Sequence, residues 1–250
     1  MPNLNPSSPV WLFDLDNTLH DASHAIFPAN IRRMNDYIAQ VLGDGVTPAS
    51  LAEVEALRMA YWRRYGATLL GMIRHHDVRA ADFLRETHAI GELGDMIRAE
   101  AALAQLLRRL PGRKVLLTNA PQRYSNDVLR HLGLARHFSH HIAIEDMHVH
   151  RQLRPKPSGL MLRRLLRRHQ LAPQRCILVE DTLENLKSAR RLGVRTVWLT
   201  RYLRAGSPGM PARATAKRPP YVDVKVKSLR QLPRHLHRLL QKPSRHHLNV

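Results

Sequence analysis

Apolar residues along this chain fall into two rhythms. Short, largely apolar runs with strand character occupy residues 10–13, 114–117, 141–144, 176–179 and 194–199, with a further candidate strand at 221–226. Between them, apolar positions return every three or four residues, as on one face of a helix. Runs of four to six without alternation are what strands buried on both faces look like. The helical segments after the second run are 124–132, stopped by Gly133, and 157–169, opened by Pro157 and carrying Leu160, Leu165 and Leu166 inward. A third, 182–192, has Asp181 or Thr182 as its N-cap and Gly193 as its stop. Strands alternating with helices at this spacing predict right-handed β-α-β units and an α/β fold around a parallel sheet.

The interval from His20 to about Glu100 breaks the alternation, with helix signals and no strand. Residues 28–42 repeat apolar positions at Ile31, Met34, Ile38 and Val41. Residues 48–65 have Thr47 as N-cap, a stripe of Leu51, Val54 and Leu57, and Gly66 as terminator. Weaker helical pieces at 69–75 and 80–88 precede a helix at 95–110 that leads to the second strand. The pattern predicts an inserted helical domain over 21–100, set over the end of the sheet that carries Asp14. Residues 1–20 and 101–204 form a discontinuous core, extended by a strand at 221–226, and 205–250 form a basic extension whose Pro/Gly/Arg-rich start reads as a loop.

Composition narrows the class. With 250 residues and 44% hydrophobic content, the chain can bury a sizeable core. No apolar run approaches the ~18 residues that span a bilayer, which argues against a membrane partner. The first nine residues lack the basic and apolar regions of a secretory signal, so a cytoplasmic location is expected. Cys176 lies inside an apolar run and is expected to be a buried, inert thiol. The formal charge is +20, and residues 201–250 hold 12 Lys/Arg against one acid, Asp223, a net +11. Such a segment attracts polyanions in a salt-dependent way, which keeps open a polyanion- or RNA-binding protein that works through its tail. It has no regular aromatic interleaving and no nucleic-acid module.

The candidate chemistry lies at strand ends, where parallel sheets bind ligands. Asp14 and Asp16 end the first strand at positions i and i+2, on one side and about 7 Å apart. The second strand ends in Thr118-Asn119, Lys156 stands between two prolines after the third, and the fourth ends in Glu180-Asp181. Each has an ordinary alternative: an acidic cap and turn, a turn after a strand, an exposed lysine, acids at a helix start. Together they suit one task, the cleavage of a phosphate monoester. Asp14 can attack phosphorus to give an aspartyl-phosphate, and Asp16 can protonate the leaving oxygen and later deprotonate water. Thr118 and neighbouring amides can donate to phosphate oxygens, and Lys156 supplies positive charge. Mg²⁺ takes hard oxygen ligands, and Asp14, the backbone carbonyl of Asp16, and Asp181 provide them. The pairs His75-His76, His148-x-His150 and His246-His247 invite a transition-metal reading, but 16 histidines in basic segments make chance adjacency common.

The order D-x-D-x-T, T-N, K-P and acidic pair resembles the haloacid dehalogenase superfamily of phosphohydrolases, through about Thr200. The motifs stand here as Asp14/Asp16/Thr18, Thr118/Asn119, Lys156/Pro157 and Glu180/Asp181. The resemblance implies a Rossmann-like core with a helical cap inserted after the first strand. It implies Asp14 as nucleophile, Asp16 as acid/base, Thr118 and Lys156 as phosphate binders with Asn119 beside them, and Asp181 as a magnesium ligand. Dehalogenase members replace the second Asp of the first motif, so Asp16 points to phosphate. Within the superfamily the chain looks like the pyrimidine 5′-nucleotidase branch, by the run Phe13 to Leu19, by Tyr65-Gly66-Ala67-Thr68-Leu69-Leu70-Gly71, by Thr118-Asn119-Ala120, and by Val179-Glu180-Asp181-Thr182 with Asn185. That branch more often shows two aspartates where Glu180-Asp181 stands; a glutamate can still reach an ion through a water. His20 occupies a place where such proteins often have an aromatic residue. The implied substrate is a small phosphate ester, a pyrimidine nucleoside 5′-monophosphate, with a sugar phosphate or phosphoglycolate as the alternative. In the cap, Tyr65 and Thr68 read equally as substrate contacts or as a packed ring and a capping hydroxyl at a helix end.

Overall fold

The computed structural model describes residues 8–203 and 217–241. Strand β1 (Val10–Phe13) is buried along its whole length. The chain then forms α1 (Ile26–Leu42), α2 (Leu51–Tyr65), α3 (Thr68–His75) and α4 (Ala80–Thr87). These helices and their connections make one compact unit, Ala22–Arg98. The other unit joins the residues up to Asp21 to those from Ala99 onward. It continues with α5 (Leu103–Arg109), β2 (Arg113–Leu117), α6 (Gln122–His131), β3 (His140–Ile142), a hairpin of β4 (His148–Val149) and β5 (Gln152–Leu153), and α7 (Gly159–Arg168). It ends with β6 (Cys176–Glu180), α8 (Leu183–Arg191), β7 (Arg195–Leu199), β8 (Val224–Val226) and α9 (Leu236–Leu240).

Six strands form one sheet in the order β3-β2-β1-β6-β7-β8, and every neighbouring pair is parallel. The protein is thus an α/β fold with a Rossmann-like core. Alternation along each strand divides the apolar residues between two covered faces. Val10, Leu12, Val115, Leu117, Cys176 and Leu178 share a core with Met161, Leu162, Leu165 and Leu166 of α7 and Leu186 of α8. On the other face Trp11 stacks on Phe13, which meets the edge of Phe138. Each such buried side chain contributes roughly 2 kcal/mol, so the strand ends that carry polar groups are anchored by far more than those groups cost. Cys176 belongs to this core, where burial pushes its thiol up to about 12. Among the described residues no helix is long and apolar enough to cross a membrane.

Strand order reverses at β1, which has β2 on one side and β6 on the other. The crevice at the carboxyl ends of these three strands is the switch point where open parallel sheets bind ligands.

Several elements differ from the sequence expectation, each for a local reason. The third strand ends at Ile142 instead of 144, because Asp146 accepts from the Ala143 amide and a 3₁₀ turn, Ile144–Asp146, begins. Helix α7 starts at Gly159 with Ser158 as cap, the Ser158 hydroxyl accepting from the Met161 amide at 3.3 Å. That start turns Leu160 outward, 54% exposed, and seats Met161 and Leu162 in the core. In α2 the cap is Ser50 rather than Thr47, in a reciprocal box with Glu53, and Leu51 faces solvent. The expected helix 95–110 is broken into a 3₁₀ turn, Gly94–Met96, and α5, with Ala102 at φ 63° between. Glu100 explains the break. It is buried, accepts from the Ser228 hydroxyl and from the Leu229 amide at 3.0 Å, and so ties this crossing to the C-terminal segment. The strand expected at 221–226 is the shorter β8, and the chain after it folds through a 3₁₀ segment, Leu229–His235, into α9. Much of the basic extension is therefore part of the core unit; residues 204–216 and 242–250, with His246-His247, lie outside the described residues.

Inside the helical unit, α1 meets α4 through an edge contact of Tyr37 with Phe83. Helices α2 and α3 approach closely at Gly71. A Cβ there would lie 2.2 Å from Cγ of Tyr61, near the root of a ring that cannot swing clear. Gly71→Ala is expected to cost about 1–3 kcal/mol by overpacking, whereas Gly91→Ala, which meets nothing within 4 Å, stays within about 0.5 kcal/mol of wild type. Thermal melting of both variants checks this; equal effects would show that the α2–α3 approach is not the reason for the glycine.

Candidate active site

One ammonium organises the crevice. Lys156 Nζ donates to Asp14 Oδ1 at 2.7 Å, to Glu180 Oε2 at 2.8 Å and to the carbonyl of Leu117 at 2.9 Å. Its three N–H groups thus reach the ends of β1, β6 and β2. The lysine is carried there by a loop, and Asn119 fixes that loop. The Asn119 amide donates to the Lys156 carbonyl at 3.0 Å, and its oxygen accepts from the Lys156 amide at 2.9 Å. Asn119 thus spends both ends of its side chain on the lysine's backbone, and Lys156 spends its donors on carboxylates and a carbonyl.

Asp14 is held at both oxygens, since Oδ2 accepts from the Thr18 hydroxyl at 3.0 Å. Its amide donates to Val179 O at 3.0 Å, which continues the β1–β6 pairing into the site. Asn17, at φ 57°, gives the turn that brings Thr18 back onto Asp14. Thr118 is buried just past β2, its amide on the carbonyl of Ile142 and its hydroxyl oxygen accepting from the Ala120 amide at 3.0 Å. Glu180 ends β6 and its Oε1 accepts from the Thr182 amide at 3.2 Å. Asp181 follows, with the Thr182 hydroxyl donating to Oδ1 at 3.1 Å and the Trp198 indole donating to its carbonyl. Asn185, on the first turn of α8, lines a small cavity with Lys156, Pro157 and Ser158.

The carboxylates compete for one lysine. Burial, then the charge of Glu180, raises Asp14 to about 7 against the pull of Lys156. Burial and the charges of Glu180 and Asp14 also hold Asp181 well above the usual carboxylate range. Glu180 goes the other way: burial opposes its ionisation, but Lys156, a hydrogen bond from Asp181 and the Thr182 amide outweigh it. For Lys156 itself burial disfavours the charge, and Asp14 and Glu180 more than restore it. Asp14, Glu180 and Asp181 each place a carboxylate oxygen within 4.8 Å of the others. Three hard oxygen donors, of which Asp14 and Asp181 retain protons for want of positive charge, suit a small divalent cation.

Asp16 points elsewhere with its side chain. Its Oδ1 accepts from the Tyr124 hydroxyl at 2.6 Å and lies 2.9 Å from His20 Nε2. Burial and the Asp16 charge keep the Tyr124 phenol protonated far above its ordinary range. The sequence alone assigns no role to Tyr124 or His20; the one available signal is a tyrosine on the first turn of the helix after Thr118-Asn119.

Tyr65 and Thr68 belong to the helical unit. The Tyr65 hydroxyl is 2.6 Å from His75 Nε2, and Arg64 and Arg74 lie over its ring. Thr68 is buried and donates to the Arg58 carbonyl at 3.3 Å. These contacts lie within the unit. His75 and His76 pair with Tyr65 and Tyr61, and His148 contacts the Glu145 carbonyl, so these histidines do not gather into a metal cluster among the described residues.

The Asp14 shift carries a stability consequence. Between the ordinary value of 3.8 and about 7, the folded, metal-free chain keeps a proton on Asp14 that the unfolded chain has released. Folding then loses stability as pH rises through that window, because the native state binds more protons. Glu180, held low, acts below its ordinary 4.5 and with the opposite sign. Asp14→Asn removes one contribution, so its melting temperature in chelator should fall less steeply than wild type from pH ~5 to ~7. Parallel slopes would contradict the assignment.

A family model described as haloacid dehalogenase-like hydrolase matches residues 10–193. The fold is similar to that of a HAD-superfamily hydrolase, subfamily IA, variant 1, from Geobacter sulfurreducens, at 20% identity over 94% of this chain and 100% of that one, with a TM-score of 0.52. A HAD phosphatase from Thermococcus onnurineus is similar at 18% identity, 91% and 97% coverage and a TM-score of 0.59. A 2-haloacid dehalogenase from Pseudomonas syringae pv. Tomato gives 21%, 92% and 98%, and 0.55. At such identities the structures speak for the fold, whereas the family match spans most of the chain and the ends of β1, β2 and β6. The chain belongs to the haloacid dehalogenase-like hydrolases.

Proposed function

We propose that this hydrolase is a Mg²⁺-dependent phosphomonoesterase that works through an aspartyl-phosphate, with pyrimidine nucleoside 5′-monophosphates as substrates. The observation that carries the reading is the convergence on Asp14: Lys156 and Thr18 fix its two oxygens, and Glu180 and Asp181 stand within 4.8 Å. A dehalogenase has no use for a second aspartate two residues on, whereas phosphoryl transfer needs an acid and base there. The pyrimidine substrate is supported by the likeness of residues 13–19 and 65–71 to that branch.

Asp14, the backbone carbonyl of Asp16 and Asp181 would hold the ion, and its positive charge would offset the phosphate oxygens and favour the ionised form of Asp14. An ionised Asp14 attacks phosphorus as the ester P–O bond breaks. Asp16 gives its proton to the leaving oxygen, then takes one from the water that attacks the aspartyl-phosphate, so phosphate leaves and Asp14 returns to its starting state. Thr118 and its neighbouring amides donate to the oxygens on phosphorus, and Lys156 balances the charge of Asp14 and Glu180 throughout.

A panel of UMP, CMP, AMP, GMP, phosphoglycolate and glucose 6-phosphate, assayed with Mg²⁺, tests the reading. Hydrolysis should be fastest with UMP or CMP, should stop in EDTA and return with added Mg²⁺, and should fall at least about 10³-fold in Asp14→Asn. Preference for phosphoglycolate or the sugar phosphate would overturn the substrate, and undiminished turnover in the variant would overturn the mechanism.

A further inference from the structure

The side chain of Asp16 is gripped from two directions by groups that the chemistry above leaves without a part. The Tyr124 hydroxyl lies 2.6 Å from Asp16 Oδ1, His20 Nε2 lies 2.9 Å from the same oxygen, and the two are 3.4 Å from each other. Tyr124 is 3% exposed and His20 is fully buried, so both groups reach the partly exposed Asp16 side chain from within the protein. They come from different stretches of chain. Tyr124 stands on the first turn of α6, beyond β2, and His20 follows Asp16 by four residues, in a turn that begins at Asn17.

The proton inventory of the three groups follows from His20. Among the described residues its Nδ1 is buried with no hydrogen-bond partner. A buried N–H that lacks an acceptor is the rarer and costlier arrangement, compared with a bare ring nitrogen that lacks a donor. The imidazole hydrogen therefore sits on Nε2, and His20 is a donor to Asp16. The phenol has one hydrogen, and the short contact directs it to the same oxygen. Two donors then converge on Oδ1, and a third proton on that oxygen would face both.

We propose that Tyr124 and His20 are positioning residues for the acid–base work of Asp16. They keep Oδ1 as the acceptor of two fixed hydrogen bonds, so that Oδ2 gives the proton to the leaving oxygen and later receives one from the attacking water. In the first step the proton moves from Oδ2 to the leaving oxygen as its bond to phosphorus breaks and that of Asp14 forms. In the second, water bonds to phosphorus, its proton goes to Oδ2, and the bond to Asp14 breaks. The inference rests on the phosphomonoesterase reading and adds to it what orients the acid. Positioning of this kind matters because general acid catalysis depends on a proton aimed at one atom.

Rapid-quench release of the leaving group in the first turnover, from p-nitrophenyl phosphate and from phenyl phosphate, separates positioning from mere packing. Nitrophenolate departs without a proton, while phenol needs one. Tyr124→Phe, which removes one oxygen and keeps the ring, and His20→Leu should each slow phenol release by about 10-fold or more beyond any effect on nitrophenolate release. His20→Gln, which returns an N–H near the place of Nε2, should recover most of the loss. If the variants slow both esters by the same factor, or slow neither, the inference is overturned while the phosphatase reading stands. A wild-type chain inert toward both esters overturns the phosphatase reading and this inference together.

Discussion

A single buried ammonium is the constraint from which the rest of the site follows. Lys156 touches Asp14, Glu180 and the end of β2 with its three N–H groups. Burying an ammonium costs several kcal/mol, and one carboxylate at such a distance returns about 6 kcal/mol at an effective dielectric near 20. One partner would roughly break even; two hold the charge in place. The same arithmetic leaves the acids short of positive charge, and so Asp14 and Asp181 keep protons that ordinary carboxylates would have lost. The site is built to welcome another cation.

The fold makes this shortage affordable. The carboxyl ends of β1, β2 and β6 meet at the point where strand order reverses, and each strand is anchored by apolar residues on both faces. Asp14, Thr118 and Glu180 are thus fixed by backbone that has no reason to move. Only Lys156 arrives on a loop, and there Asn119 clamps the lysine's own backbone with two hydrogen bonds. The Thr-Asn pair at the end of β2 divides its contacts: the Thr118 hydroxyl accepts from the Ala120 amide, and Asn119 holds the backbone of Lys156.

The sheet and the motif residues were legible because they depend on local signals. Runs dominated by apolar residues identify doubly covered strands, and acids at the ends of the first and fourth identify the crevice. What was not legible depends on distant partners. The break at Glu100 answers to Ser228 and Leu229, over a hundred residues away, and no helical periodicity near 100 reveals that bond. The hairpin of β4 and β5 turns through His150 and Arg151, both at positive φ, without the Gly or Asn that would have announced it. Leu160 had the right hydrophobicity and the wrong phase, because the helix begins at the Ser158 cap and not at the proline. Asn119 was expected beside the phosphate, and its contact with the Lys156 backbone spans 37 positions. Tyr124 and His20 were invisible for the same reason: an aromatic ring on a helix and a histidine in a turn look ordinary until they meet on Asp16.

The central claim is that Asp14 itself takes the phosphoryl group. Acid quench of the protein during steady turnover of p-nitrophenyl phosphate, followed by borohydride reduction and peptide mass spectrometry, reads this directly. An acyl phosphate at Asp14 would be reduced to the alcohol, and the modified residue should appear at position 14 alone. Modification at another acid, or a phosphoryl group found on a histidine, would contradict the account.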